Sequence, residues 1–143
     1  MKETALMLIS TLLLLPPIIG CGKEKSNPQA DDSAIQSAQT IVTAIDKEDY
    51  AGSYNAAAPY FKTALGSDEK WAEMLTAVRK PLGTCVSREL VSSKTMDKAP
   101  GAPDGRYAQI EFKASFENKK EAVETVVVLK EDDTWKLVGY FIK

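Results

Sequence analysis

The spacing of apolar residues changes once along the chain, from a helical period to a strand period. Up to about residue 83, apolar side chains recur every three or four positions, as on one face of an α-helix. From Thr84 onward apolar and polar residues alternate, as in a strand with one buried face. The change predicts a single α+β domain with its helices first and its strands afterwards.

Helices are expected over residues 33–46, 47–65 and 68–80, the second with a kink at Pro59 because proline lacks the backbone donor. Strands are expected over residues 84–94, 106–117, 122–130 and 134–142. Short turns between successive strands require antiparallel neighbours. The third helix carries a narrow apolar stripe of Trp71, Met74, Leu75 and Val78.

The predicted architecture is therefore N-terminal helices packed on a four-stranded antiparallel sheet. This order of elements resembles the cystatin-like or NTF2-like rolls. The larger aromatic residues of the two halves are expected in the core, with a binding surface as the alternative, namely Trp71, Trp135, Tyr140 and Phe141.

Residues 1–20 are typical of a bacterial export signal. A basic start at Lys2 precedes an apolar run that is shorter than the roughly 20 residues of a spanning helix. The segment ends in Ile18-Ile19-Gly20-Cys21, which resembles a lipobox, so we expect cleavage before Cys21 and a thioether-linked lipid on its sulfur. The alternatives are an ordinary export signal or a membrane anchor in which Cys21 is incidental.

The polar segment 21–32 is expected to be the lipidated cysteine and a flexible tether, followed by the domain over residues 33–143. Gly22, in place of an aspartate that would retain a lipoprotein at the inner membrane, favours the outer membrane with the domain facing the periplasm. Cys85 is the second of two cysteines. Because Cys21 is expected to carry the lipid, Cys85 has no partner for an internal disulfide. Its expected state is a buried, inert thiol, with a reactive thiol as the alternative.

Composition excludes several classes of chemistry. The chain has no histidine, which removes Ser-His-Asp and Cys-His catalysis and any His-ligated metal site. Its 18 basic and 20 acidic residues give a net charge of −2. The chain therefore lacks the excess of positive charge that proteins use to bind nucleic acid. No phosphate-binding loop or nucleophile elbow is present in the sequence. We therefore expect no enzyme, no metal and no cofactor.

Two groups of residues are candidates for a site. Rolls of this kind can enclose a pocket, and ketosteroid isomerases use an aspartate with a tyrosine there. The corresponding candidates are Asp46, Asp49, Tyr50 and Tyr54. The alternative is that the carboxylates cap a helix junction and the tyrosines pack with wet hydroxyls.

One set of sequence blocks is specific when its members are taken together. They are Trp71; Arg79-Lys80-Pro81-Leu82-Gly83; Ser87-Arg88; Ala99-Pro100-Gly101-Ala102-Pro103-Asp104-Gly105-Arg106-Tyr107; Phe112; Ser115-Phe116-Glu117-Asn118-Lys119; Glu121-Ala122-Val123-Glu124-Thr125; and Trp135-Lys136-Leu137-Val138-Gly139-Tyr140-Phe141-Ile142. The set resembles a family of small bacterial proteins catalogued as domain of unknown function four-thousand-and-nineteen, from about Ile35 to the last residue. The resemblance implies an exported or envelope-associated domain and assigns no functional residue.

Within that set, four charged residues form the second candidate, a polar site beside the proline-rich loop: Arg79, Arg88, Asp104 and Glu124. The alternative is structural: Asp104 makes a turn with Gly105, and Arg88 pairs with a carboxylate across the sheet.

The leading hypothesis for function is a non-enzymatic cell-envelope lipoprotein, an accessory or interaction module with a membrane anchor at Cys21 and an envelope protein as partner. The alternative is a small-ligand-binding protein, or an enzyme, with a pocket between the helices and a curved sheet. A cavity in that position distinguishes them.

Overall fold

A computed structural model describes residues 29–143. Their helices and strands are α1 (Asp32–Asp46), α2 (Tyr50–Asn55), α3 (Pro59–Leu65), α4 (Asp68–Arg79), β1 (Cys85–Met96), β2 (Tyr107–Phe116), β3 (Lys119–Glu131) and β4 (Thr134–Ile142). The predicted signal segment and the predicted lipid site at Cys21 lie outside the described residues.

The four strands form one antiparallel sheet in the order β1-β2-β3-β4, so the predicted α+β architecture is confirmed. Helix α1 lies against β2, β3 and β4, and α4 packs on α2 and α3. The alternation of β2 turns Ala108, Ile110 and Phe112 toward α1, and all three are buried. Ile41 and Ile45 of α1 close the same core.

The predicted second helix is two helices. Residues 56–58 leave the helical path and bond to strand β4, where Leu137 N donates to Ala56 O at 2.8 Å and Ala58 N donates to Leu137 O at 2.9 Å. Pro59 then begins α3 at a position where its missing N–H costs nothing. The prediction of one kinked helix was wrong because this segment covers an edge of the sheet.

The start of the domain also differs from the prediction. Ala30, expected in the tether, is buried with 4% of its surface exposed. Asp31 forms an ion pair of 3.2 Å with Arg106, at the start of β2. Ser33 accepts a hydrogen bond of 3.0 Å from Trp135 Nε1. These contacts define the entry end of the domain, where α1 begins.

The opposite end of the domain, which we call the far end, holds the last residues of α1 and α4 and the first residue of β1, Cys85. Helix α1 has 15 residues, so the entry end and the far end are separated by about 22 Å along its axis.

The apolar core is smaller than the sequence pattern predicts. Trp71 and Trp135 are buried as expected, but Phe141 is 57% exposed and the prediction that it joins the core was wrong. Phe141 lies on the outer face of the sheet beside Gly139, whose missing side chain leaves room for its ring. On α4, Met74 and Val78 are also exposed, so only part of the predicted stripe is buried.

Candidate functional site: a charged cluster at the far end

Five side chains from five elements meet beneath the far end of the domain. The charged cluster consists of Asp46 (α1), Arg79 (α4), Arg88 (β1), Glu124 (β3) and Tyr140 (β4). Three of these residues belong to the predicted polar site and one to the predicted pocket. The structure thus brings together residues from both predicted groups, although not every member of either group.

Glu124 is the buried centre of the charged cluster, with none of its surface exposed. Its carboxylate accepts hydrogen bonds from Arg88 Nε at 2.5 Å and from Arg88 Nη2 at 3.2 Å. The Tyr140 hydroxyl donates to it at 2.6 Å, and Arg79 Nη1 lies 3.5 Å away. Both carboxylate oxygens thus have donors, as a buried carboxylate requires.

Asp46 is the second carboxylate of the cluster and joins both arginines. Arg88 binds it with two nitrogens, Nη1 to Oδ2 at 2.6 Å and Nη2 to Oδ1 at 3.0 Å. Arg79 Nη2 donates to Oδ1 at 2.6 Å. The planar guanidinium makes such paired contacts with both carboxylates, which a lysine in place of Arg88 could not reproduce.

The local sequence explains how these side chains reach one another. Arg88 is paired with Ala114 on β2, and this small residue lies between β1 and β3 on the face that the helices cover. Glu124 lies on that face because it is two residues from each of the buried Ala122 and Val126, and residues two apart in a strand share a face. Arg79 is the last residue of α4, where a cation suits the negative end of the helix dipole.

The two guanidinium groups balance the two carboxylates in charge. Burial by itself raises the pKa of Asp46, but the bonds from Arg88 and Arg79 outweigh it and hold that pKa below its usual value. Burial by itself lowers the pKa of Arg88, yet its bonds to Asp46 and Glu124 raise it above the usual value. Asp46 and both arginines are therefore charged at neutral pH.

Tyr140 is the neutral member of the cluster. Burial raises the pKa of its hydroxyl, and the negative charge of Glu124 raises it further. The hydroxyl consequently keeps its proton and donates a hydrogen bond to Glu124. It also accepts a hydrogen bond of 3.1 Å from Arg79 Nη1. The apolar pattern of β4 predicts only a core position for Tyr140 and gives no sign of this role.

Arg79 also stacks on an aromatic ring. Its guanidinium carbon lies 4.8 Å from the ring centre of Phe116, in the range of a cation–π contact. Within residues 29–143, Arg79 Nε is the one buried side-chain nitrogen or oxygen that lacks a hydrogen-bond partner.

A cleft of about 450 Å³ opens beside the charged cluster at the far end. Its lining residues are Ile45, Asp46, Glu48, Tyr50, Thr76, Arg79, Lys80, Gly83, Thr84 and Glu117. The cleft lies between the ends of α1 and α4, whereas the space between α1 and the sheet is filled by core side chains. Within the described residues, the cleft is therefore not the pocket between the helices and the sheet that a ligand-binding roll would have.

Four predicted site residues lie outside the charged cluster, and one of them, Tyr50, lines the cleft beside it. Asp49 caps α2, accepting a hydrogen bond of 2.9 Å from Gly52 N. Tyr54 lies beneath the Lys62 ammonium, which is 5.4 Å from its ring centre. Asp104 is in the loop before β2, with an 82% exposed side chain that lies 3.6 Å from Lys98. The expectation that Asp104 joins the other polar residues was wrong, because its loop is at the entry end.

Cys85 begins β1 and is half-buried. Its thiol lies 3.5 Å from Ser87 O. Burial raises the pKa of the thiol, which lowers the reactive thiolate fraction at neutral pH. The geometry therefore favours the inert thiol over the reactive one.

Residues 29–143 contain neither a metal-binding group of side chains nor a helix able to span a membrane. No three acidic or cysteine side chains in this part of the chain are grouped as they would be around a metal ion. No helix within it has the length and apolar composition to cross a membrane.

Comparison with protein families matches residues 37–140 to the family described as "Protein of unknown function (DUF4019)". The match covers most of the chain, and the protein belongs to this family. No curated protein matches the chain.

Proposed function

We propose that this protein is a lipoprotein of the bacterial cell envelope, anchored through Cys21, whose domain binds an envelope partner and has no catalytic activity. The charged cluster is the observation that supports a domain without catalytic activity. Its carboxylates and guanidinium groups bind one another and balance in charge. A general acid or base needs a pKa near the working pH, and Asp46 is held away from it.

The anchor follows from the segment Ile18-Ile19-Gly20-Cys21, and Gly22 supports the outer membrane, with the domain in the periplasm. Two or three acyl chains anchor a protein stably, since each buried CH₂ contributes about 0.8 kcal/mol. The chain enters the domain at the entry end, about 22 Å from the far end. The tether therefore leaves the far end open to a partner.

Lipidation is tested by growth with a labelled fatty acid. The unaltered protein and a Cys85→Ser control should take up the label, because Cys85 lies within the folded domain. Cys21→Ser should take up none and remain unprocessed. Label in the Cys21→Ser protein would contradict the anchor.

Partner binding is tested in native envelopes with a photo-crosslinking residue in place of a lysine. Lys80 lines the cleft at the far end, and the matched control Lys98 lies in the exposed loop after β1. A specific crosslinked protein should form from position 80 and not from position 98. Equal crosslinking from both positions, or none from position 80, would contradict a partner at the far end.

The cleft supports small-ligand binding as a second candidate, since its volume lies within the range of small-molecule sites. A ligand that binds only the folded state raises the melting temperature, and the increase grows with the logarithm of the ligand concentration above the dissociation constant. We expect such an increase to be abolished by Lys80→Ala and kept by Lys98→Ala. A screen of envelope metabolites in which no compound raises the melting temperature would reject this candidate.

A further inference from the structure

Strand β1 forms an open edge of the sheet. It has 12 residues, and no helix of residues 29–143 packs extensively against it. Leu90 is 40% exposed and Val91 is 63% exposed, although both are apolar. A long exposed edge with apolar side chains is a template for pairing with another strand.

The opposite edge of the sheet is different. Strand β4 is covered at Leu137 by the segment 56–58, which takes up both backbone groups of that residue. Of the two sheet edges, β1 is therefore the one that, among residues 29–143, no other segment covers around Leu90 and Val91.

The outer face of β1 carries two opposite charges. Glu89 is paired with Lys113 of β2, and Lys94 is paired with Gln109 of the same strand. Lys113 and Gln109 are an even number of residues apart in a regular stretch of β2, so Glu89 and Lys94 lie on the same face. Neither forms an ion pair within residues 29–143.

A bulge between Leu90 and Ser92 produces this arrangement, because the pairing of β1 with β2 shifts there by one residue. Without the bulge, the odd spacing of Glu89 and Lys94 would place them on opposite faces. Bulges often protect an edge strand. Here the bulge also makes the edge self-complementary in charge.

We propose that two copies of this chain associate through β1, antiparallel, with Glu89 of each copy opposite Lys94 of the other. The two-fold axis then passes between Val91 and Ser92. Each dimer contains two opposite-charge pairs, and the association covers Leu90 and Val91. Cross-strand pairs of this kind contribute modestly, so the dimer is weak in solution and favoured by anchoring at a membrane surface.

The arrangement agrees with a lipid anchor on each copy. The antiparallel pairing puts the two entry ends on opposite sides of the dimer, about 30 Å apart along the paired strands. Both tethers reach one membrane when the strands lie along its plane.

The test uses full-length copies with two different tags, co-expressed, extracted in polymer-bounded discs of native membrane and purified through one tag, so that the membrane that favours association is retained. The unaltered copies should co-purify. Glu89→Lys or Lys94→Glu in both copies should lower the recovered second tag by about tenfold, because like charges then face each other. The double charge swap Glu89→Lys with Lys94→Glu should restore it.

Lys120→Glu is the control for net charge, since this exposed residue lies in the turn at the start of β3. It should leave co-purification unchanged, and melting curves of all variants identify any that fail to fold. Failure of the unaltered copies to co-purify would overturn the proposal. So would a double swap that folds but does not recover, which would indicate that β1 pairs with another partner or with none.

A second arm tests the register directly. In a Cys85→Ser background, one copy carries Glu89→Cys and the other Lys94→Cys. An intermolecular disulfide should form between these two copies and not between two copies that both carry Glu89→Cys. Equal disulfide formation in both combinations would contradict the proposed register.

Discussion

Arg88 holds the carboxylate of Glu124 with two of its nitrogens across the intervening strand β2, although Glu124 has no exposed surface. A buried charge is tolerated only when its partners remain in place. Asp46, at the end of α1, binds the same guanidinium. The contact between Arg88 and Asp46 therefore connects the sheet to the helical layer. The charged cluster is thus a structural connection, and removal of one member leaves another charge uncompensated.

Glu124→Gln removes the central charge and leaves both arginines with an excess of positive charge. Breaking a buried ion pair in this way costs about 3–5 kcal/mol. Denaturant unfolding should show a loss in this range. The matched control is Glu121→Gln, whose 84% exposed side chain lies 3.9 Å from Lys113. That change should stay within about 0.5 kcal/mol, and equal losses would contradict the special role of Glu124.

Tyr140→Phe removes the hydroxyl between Glu124 and Arg79, and denaturant unfolding should show a loss of about 1–3 kcal/mol.

The raised pKa of Tyr140 also has a consequence for stability at high pH. The unfolded tyrosine ionises near pH 10 and the folded one does not, so stability is full below that pH and falls as pH rises above it. Melting temperatures between pH 9 and about pH 11 should fall less steeply in Tyr140→Phe than in a Tyr54→Phe control; equal slopes would contradict this.

Asp46→Asn should change the stability of the protein in acid. The pKa of Asp46 is below its usual value in the folded protein, so its contribution is full above the unfolded pKa of 3.8. It is lost as pH falls through the lower folded value. The unaltered protein should therefore lose stability more steeply below about pH 4 than the asparagine variant. Asp104→Asn, in an exposed loop, is the control and should retain the steeper profile.

Trp71→Ala tests the packing of α4. Its ring is 3% exposed, lies edge-on to Phe61 at 5.8 Å and donates a hydrogen bond of 2.9 Å to Ser53 Oγ. The expected loss is about 3–5 kcal/mol. Met74→Ala, on the same helix but 54% exposed, should cost under about 1 kcal/mol. A small effect at Trp71 would indicate that α4 does not depend on this contact.

The element order was predictable because hydrophobic period is a local property. The strand centred on Phe112 alternates regularly and was predicted to within one residue at each end. The segment 56–58 was not, since its hydrogen bonds are made with Leu137, far along the chain. Phe141 and Met74 fit an apolar pattern locally, but no helix or strand of residues 29–143 covers them.

Four of the five members of the charged cluster were predictable from the sequence, but their assembly was not. Glu124 is a carboxylate within an apolar alternating run, between Ala122 and Val126, and that signal marks it as buried. The same pattern gives no sign that Asp46 is its neighbour or that Asp104 is not. The hydroxyl of Tyr140 carries no local signal at all, because an aromatic residue on the buried face of a strand predicts only a core position.

The most direct test of a structural charged cluster is a double-mutant cycle on Arg88 and Glu124. Denaturant unfolding is measured for the unaltered protein, Arg88→Gln, Glu124→Gln and the double variant. We predict that the double variant is little worse than either single variant, with an interaction free energy above about 1 kcal/mol. Losses that add to within about 0.5 kcal/mol would contradict the account, because the two side chains would then act independently.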